Sequence, residues 1–334
     1  MISVESLHSY HAARRRAALL PRGGLGRIVV SGQDRASYLQ GLLTNDIAAL
    51  KAGQGCYAAY LTPQGRMITD LWVYELGDVL LLTLPREVKD AVLAKLDQFI
   101  FTEDVQLGDV TDTFDHLAIV GPEAAQMLSG VLSVAPELLR LPEHGNLRAE
   151  LEGHPVIVLA VGDLGEAGYD VLADGPVMDS LRNRLLAAEA AELDAAAAEA
   201  LRIEAGVPRF HVDMDEDTIP LEAGIETRAI SLTKGCYVGQ EVIIRVLHRG
   251  HGRVARKLVG LTFEAGALPA AGSRLQADGK DVGNVTSCAW SPALGRSIGL
   301  GYVHRDFVAP GTDLTAGAIT ARVAAVPFVP PAGR

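Results

Sequence analysis

Three observations predict an α+β fold with a separate all-β part after it. Strands come in meanders that are each followed by a helix, instead of alternating one for one with helices. Two such blocks of similar layout follow one another between Arg27 and Ile203. From Arg253 to Arg334 only short strands separated by Gly and Pro turns remain, the pattern of a small barrel or sandwich.

The elements follow in order. Arg27–Val30 reads as a strand closed by Ser31-Gly32, and Asp34–Leu43 carries Tyr38, Leu39, Leu42 and Leu43 at helical spacing. Gly53–Leu61 and Met67–Tyr74 are strands joined by the turn Thr62-Pro63-Gln64-Gly65, and Val79–Leu84 is a third. Pro85 opens a helix to about Ile100 with Val88, Val92, Leu93 and Leu96 as its apolar stripe. The second block begins with the strand His116–Val120 and a helix from Glu123 to Leu128. Strands at Val156–Val161 and Gly168–Leu172 follow, then a helix at Pro176–Ala188 and an Ala-rich helix over Ala190–Ile203. The terminal strands are Lys257–Phe263, Arg274–Gln276, Asp281–Thr286, Ile298–Val303 and Ile319–Val326. The boundary is expected near residues 250–256, giving regions 1–252 and 253–334.

Of the 334 residues 49% are hydrophobic and 21% charged, which excludes disordered, collagen-like and disulfide-scaffold classes. No apolar run approaches the roughly 20 residues that cross a bilayer. The first 24 residues lack an h-region, so a cytoplasmic location is expected. Lys and Arg number 30 against 41 Asp and Glu, a formal charge of −11, the wrong sign for a nucleic-acid coat. Only Arg245–Lys257 is locally basic, and a solvated strand and turn accounts for it. The three cysteines, Cys56, Cys236 and Cys288, form no CxxC pair, so no self-contained metal or cluster site is expected.

The chemistry concentrates in residues 201–252. Glu204 follows Leu201 and Ile203, so its carboxylate is expected to be partly buried and to need a donor. Either it is a helix-end carboxylate or forms a salt bridge to Arg202 or Arg209, or it holds the guanidine-like edge of a pterin or purine by paired hydrogen bonds. Asp213–Asp217 lacks the Gly and distal Glu of a calcium loop and reads as a solvated turn. Glu222 is open to a structural role. The sharpest feature is Lys234-Gly235-Cys236-Tyr237-Val238-Gly239-Gln240-Glu241. Its glycines point to a tight turn or a close approach, and Lys234 together with nearby N–H groups would favour a Cys236 thiolate. A buried turn cysteine is the plainer alternative. No G-x-S-x-G elbow, P-loop or dinucleotide fingerprint is present, and the glycines of Gly23–Gly26 precede their strand.

The octapeptide at 234–241 resembles the signature of the YgfZ-type folate-binding proteins, relatives of the glycine-cleavage T-protein, an aminomethyltransferase. The resemblance extends over 32–47, 60–74, 201–224 and 283–303 in the family's order, nearly the whole chain. It implies two interlocked α+β subdomains with a T-protein-like folate-binding fold and a C-terminal all-β barrel around a folate channel. It also implies tetrahydrofolate or a one-carbon derivative as cofactor.

For function, the resemblance implies an accessory factor for iron–sulfur protein assembly or repair and, through it, tRNA modification. Iron–sulfur client or assembly proteins would be the partners, with direct tRNA binding disfavoured by charge and no membrane association. The alternative is a folate-dependent aminomethyltransferase or related one-carbon transferase, and turnover itself is left open. Asp70 falls where the T-protein has paired aspartates, one of them facing the reactive nitrogens of tetrahydrofolate, and Thr69 takes the first position. Glu204 matches the T-protein glutamate that holds the pterin. Residues 80–88 replace an Asn-containing strand end of the T-protein, so the resemblance leads one to expect one ligand contact fewer. Cys236 marks the YgfZ-type branch. Cys236 and Asp70 are thus the catalytic candidates, and Glu204, Asp70, Lys234 and Tyr237 the candidate folate contacts.

Overall fold

The computed structural model describes residues 3–249, 252–264 and 266–331. Helix α1 (Val4–Arg15) leads into β1 (Ala18–Pro21), and the chain then crosses to a second sheet. That sheet is built from β2 (Leu25–Ser31), β3 (Gly55–Leu61), β4 (Met67–Glu75), β5 (Leu80–Pro85) and β6 (Gln106–Asp109), with α2 (Arg35–Leu42) and α3 (Lys89–Asp97) in its connections. Its order is β3-β4-β5-β2-β6. The chain returns to the first sheet as β7 (Asp115–Val120), β8 (Asn146–Leu151), β9 (His154–Val161), β10 (Gly168–Ala173) and β11 (Ala191–Glu192), carrying α4 (Ala124–Leu132) and α5 (Gly175–Ala187). Here the order is β11-β1-β7-β10-β9-β8. The subdomains interlock because β1, from the beginning of the chain, sits inside the sheet completed last.

Strand alternation assigns each side chain to a layer. Ile28, Val30, Leu71, Val73, Leu80 and Leu82 face a core shared with α2 and α3, whereas Val29, Trp72, Tyr74 and Leu81 face the other way. In the first sheet Leu117, Ile119, Val156, Val158 and Val171 face α4 and α5. Leu159 and Leu172 point back at Tyr74 and Leu81. The two sheets therefore pack inner face to inner face, with helices outside. Asp70, two residues before Trp72 on β4, has the parity of the inner face.

Helix α6 (Ala195–Ala205) follows, and the expected single helix over 190–203 is replaced by β11 and then α6. The break has a local cause: Asp194 caps α6, its side chain accepting from the Ala197 N–H at 2.8 Å. Residues 207–249 wrap back over the second sheet, adding Phe210, Met214, Leu221, Ile225 and Ile243 to its core, with short helices α7 (Pro220–Ala223), α8 (Glu226–Ala229) and α9 (Gln240–Ile244). The basic stretch is a correction: its N-terminal part is a π-helical continuation of α9 over Arg245–Arg249, not a strand. Gly250 and His251 lie outside the described residues.

The barrel closes in the order β12-β15-β14-β13-β16-β17, with β12 (Arg256–Phe263), β13 (Arg274–Ala277), β14 (Lys280–Ser291), β15 (Arg296–His304), β16 (Asp313–Ala316) and β17 (Ile319–Ala324). Among the described residues no helix is long and apolar enough to cross a membrane.

Glu204 is the point where α1, α6 and the barrel meet. Its carboxylate is fully buried and accepts from Tyr10 Oη at 2.7 Å, from Arg14 and from Ser291 at the end of β14. Arg14 also pairs with buried Glu166. Breaking a buried ion pair costs about 3–5 kcal/mol because a charge is left without its partner. Arg14 would keep Glu166, so Glu204→Ala should lower stability by about 3 kcal/mol in denaturant unfolding, the low end of that range. A loss within experimental error would show that the three layers do not depend on this carboxylate.

Candidate functional site

Where the inner faces of the two sheets part, a cavity of about 510 Å³ opens. Its walls come from β4 (Asp70, Trp72), β3 (Tyr57), the β1–β2 connection (Arg22, Gly24), α6 (Ala198, Glu199, Arg202), the 207–212 segment and Arg228 of α8. Register explains the aromatic wall. Tyr57 pairs directly with Trp72 across the β3–β4 ladder, and their rings lie 5.4 Å apart. The Arg228 guanidinium sits 5.1 Å from the Tyr57 ring centroid, a cation–π contact.

Asp70 is the buried acid of this wall, 4% exposed. Tyr57 Oη donates to its Oδ2 at 2.7 Å, and its Oδ1 is buried without a hydrogen-bond partner among the described residues. Burial pushes its carboxyl up to about 6, against the lowering effect of the Tyr57 hydrogen bond. The same contact and burial raise the Tyr57 phenol well above its ordinary range. A carboxyl balanced near neutrality beside a cavity is suited to exchange a proton.

On the opposite wall Glu199 receives two hydrogen bonds from Arg202, at 3.0 and 2.6 Å, and pairs with Arg209 at 3.3 Å. Burial would raise its carboxyl, but the Arg202 bonds hold it below its ordinary value. Arg202 Nη1 reaches Asp213 Oδ2 at 2.6 Å. Asp213 also accepts from the Arg209 N–H and from Thr286 and Ser287 of β14. The solvated turn expected over 213–217 is therefore corrected at its first residue: Asp213 is 2% exposed and ties the cavity loop to the barrel, while Asp215, Glu216 and Asp217 are exposed. Arg22, also on the wall, pairs with Asp163 and with Asp170, and Asp170 faces His116.

The residues singled out in the sequence are thus divided. Asp70 lines the cavity; Glu204, Lys234, Cys236 and Tyr237 are not among its lining residues. Glu204 turns away because its oxygens are engaged by Tyr10, Arg14 and Ser291, none of them the Arg202 or Arg209 expected as salt-bridge partners. Those two arginines belong to Glu199, the wall carboxylate that sequence reading missed. Five residues apart on one helix, Glu199 and Glu204 lie about 140° apart around the axis, so one faces the cavity when the other faces α1 and the barrel.

Lys234 does not act on Cys236. Its Nζ donates to the carbonyls of Gln40, Leu43 and Asn45 at 2.6–2.8 Å, stapling its loop to the end of α2, and stands 5.1 Å from the Tyr237 ring. Burial lowers this ammonium to about 8. Cys236 is exposed, and Tyr237 is buried with no hydrogen-bond partner for its Oη among the described residues. Of the octapeptide's glycines, Gly239 is required: at φ +84° a Cβ would stand 2.5 Å from the Thr62 carbonyl oxygen, whereas Gly235 faces open space. Glu222 receives a hydrogen bond from Arg256 and is structural. No metal-holding cluster is found among the described residues.

Residues 4–234 match the GCVT N-terminal domain, and residues 256–332 match the glycine cleavage T-protein C-terminal barrel domain. The chain belongs to the glycine-cleavage T-protein family. It is 34% identical over 294 residues to an aminomethyltransferase of Rubrobacter xylanophilus, covering 88% of this chain and 78% of that protein. An aminomethyltransferase of Halothermothrix orenii is 30% identical over 334 residues, covering 97% and 91%. The glycine cleavage system aminomethyltransferase T from Bartonella henselae shares the fold, with a TM-score of 0.87 at 24% identity over 97% of this chain and 89% of that one. Aminomethyltransferases of this family use tetrahydrofolate. The α+β architecture with a closed C-terminal barrel is therefore the family's.

A buried acid with a raised pKa leaves a mark on stability. Between the unfolded value of 3.8 and about 6, folded Asp70 holds a proton that the unfolded chain has released. Its contribution to stability is therefore lost as pH rises through this window, by on the order of 3 kcal/mol. Asp70→Asn should be less destabilised, or more stabilised, relative to wild type above pH 6 than below pH 4, measured by urea unfolding at a series of pH values. A difference independent of pH would contradict the raised value.

Proposed function

We propose that this chain binds tetrahydrofolate in the inter-sheet cavity and acts as a folate-dependent aminomethyltransferase or closely related one-carbon transferase. The observation that carries this reading is Asp70: a buried acid with one oxygen held by Tyr57 and the other unpartnered, at the wall of a cavity large enough for a folate headgroup. The surroundings fit such a group. Tyr57 and Trp72 offer flat aromatic surface, and Arg228 and Arg209 offer cationic donors, while both oxygens of Glu199 are already held by Arg202.

Tetrahydrofolate supplies the nitrogen nucleophile that accepts the one-carbon unit. Asp70 accepts or returns a proton: with its carboxyl near 6, it is largely ionised at neutral pH yet basic enough to take one up. Tyr57 fixes which oxygen is free. The 207–212 segment and α6 exclude water from one side and orient what is bound.

Calorimetric titration with tetrahydrofolate should give saturable binding, weakened at least tenfold in Arg228→Ala and Trp72→Ala and unchanged in Glu204→Gln. Asp70→Asn should lower transfer by about 100-fold or more, and the wild-type rate should climb as pH rises through about 6. Absence of binding to folded wild type would overturn the reading.

A second reading has one observation in its favour. Cys236 is exposed, away from the cavity lining, within the octapeptide that resembles the YgfZ-type branch. A thiol so placed is accessible to a protein partner, which suits an accessory factor in the cytoplasm for iron–sulfur assembly or repair and for tRNA modification through a client enzyme. In cells, Cys236→Ser should then reduce iron–sulfur enzyme activity while folate binding persists; a silent substitution would remove the support for this role.

A further inference from the structure

His211 stands on the cavity wall with a backbone conformation that an L-residue rarely adopts, φ +61°. Residues held in this way cluster at ligand clamps and switches. The ring lies between two carboxylates, with Nδ1 3.1 Å from Glu87 Oε1 and Nε2 3.0 Å from Glu216 Oε1. Carboxylate oxygens only accept hydrogen bonds, so both contacts are hydrogen bonds only when both ring nitrogens carry a proton. The arrangement selects the imidazolium, and the neutral ring keeps at most one of the two bonds.

The two carboxylates belong to different parts of the rim. Glu87 lies in the turn between β5 and α3 and lines the cavity, whereas Glu216 belongs to the same loop as His211. The loop is anchored on both sides of the ring. Phe210, whose ring lies 4.5 Å from that of His211, is 2% exposed in the core, and Asp213 is held by Arg202 and the barrel. The His211 amide donates to the Met214 carbonyl at 2.6 Å. What is left to move is the ring.

We propose that His211 is a protonation-dependent clasp across the mouth of the cavity: as imidazolium it ties the Glu87 rim to the 207–218 loop, and as neutral imidazole it releases that rim and admits solutes. The charged groups facing the ring are Glu87 from the neighbouring wall and Glu216 from its own loop. Asp215 faces Glu216, and Arg209 is turned to Glu199. Burial alone would lower the imidazole, but the bonds to Glu216 and Glu87 outweigh it and raise its pKa above the ordinary histidine value. The clasp is therefore complete below that raised value and is lost as pH rises through it. The side chains are partly exposed, 35% for His211, 55% for Glu87 and 65% for Glu216. Exposed ion pairs are weak, which suits a contact that must open. The inference depends on the cavity and not on which molecule occupies it.

Trp72 lines the cavity, and Trp290 on β14 is the other tryptophan, so a Trp290→Phe background isolates the reporter. Quenching of Trp72 by acrylamide, an uncharged probe, is followed across the titration of His211, itself followed by the imidazole NMR signal in the same background. Quenching should rise as the ring loses its proton, with the two midpoints coinciding. Glu87→Gln should move both midpoints to lower pH together. His211→Gly, which the left-handed backbone accepts without strain, should give high quenching at every pH. Flat quenching across the wild-type titration would overturn the clasp, as would a rise that persists in His211→Gly or an imidazole midpoint at or below the ordinary histidine value.

Discussion

Everything in the N-terminal region depends on the space between two sheets that face each other and are each covered by helices on the outside. At one end Tyr74, Leu81, Leu159 and Leu172 close that space with apolar side chains. Toward Asp70 the same inner faces carry Arg22, Arg27, His116 and Asp170, charged or titratable groups all under 9% exposed. Such groups are stable there only while paired. Arg22 bridges Asp163 and Asp170, and Arg27 donates to the carbonyls of Thr111 and Phe114. These pairs are bulky, directional and cannot collapse like aliphatic side chains, so the sheets stay apart beside them. The cavity is the gap that remains.

Helix α6 makes that gap specific. One face presents Glu199 and Arg202 to the cavity, and another presents Glu204 to α1 and to Ser291 of β14. Asp213 repeats the connection from the loop, accepting from Arg202 of α6 and Ser287 of β14 at once. The wall opposite Asp70 is therefore positioned by the barrel, although none of the cavity's lining residues among those described belongs to it. Two buried carboxylates, each with several donors, do this work. Neither is a group that could be replaced by an apolar side chain of similar size without leaving its donors unpaired.

Much of this was legible in the sequence, for physical reasons that also mark where legibility stopped. Strands buried on both faces read as apolar runs, and Leu80–Leu84 and His116–Val120 are of that kind. The stripe Val88, Val92, Leu96 announced α3. Helix α1 gave no such signal, because the face it buries consists of Ser6, Ser9, Tyr10 and Ala13. Strands β8 and β16 alternate with exposed polar residues and are short. Asp70 was found because its neighbours along the chain resemble a known motif; that its strand parity aims it inward is visible only once the sheet is built. Glu204 was given the wrong surroundings for the opposite reason. Its neighbours along the chain say little about Tyr10, Arg14 and Ser291, which lie 194, 190 and 87 residues away. Its helical register relative to Glu199 and Arg202 was the available clue. Lys234 was likewise read against Cys236, two residues on, when its donors were committed to carbonyls of the α2–β3 corner.

The docking of the barrel has a consequence for how this protein can be divided. The chain offers an obvious place to cut, between α9 and β12, and on either side lies a sheet system with its own apolar core. Yet a cut there would strip Ser291 from Glu204, Thr286 and Ser287 from Asp213, and would expose the face of α6 on which Phe328 N–H meets the Glu204 carbonyl at 2.7 Å. The piece containing the cavity would keep its strands and lose the alignment of the wall. Modular in sequence, the two regions are tied into one unit by these contacts, so an insertion or fusion at the far rim of the barrel should disturb the cavity wall less than one at the joint.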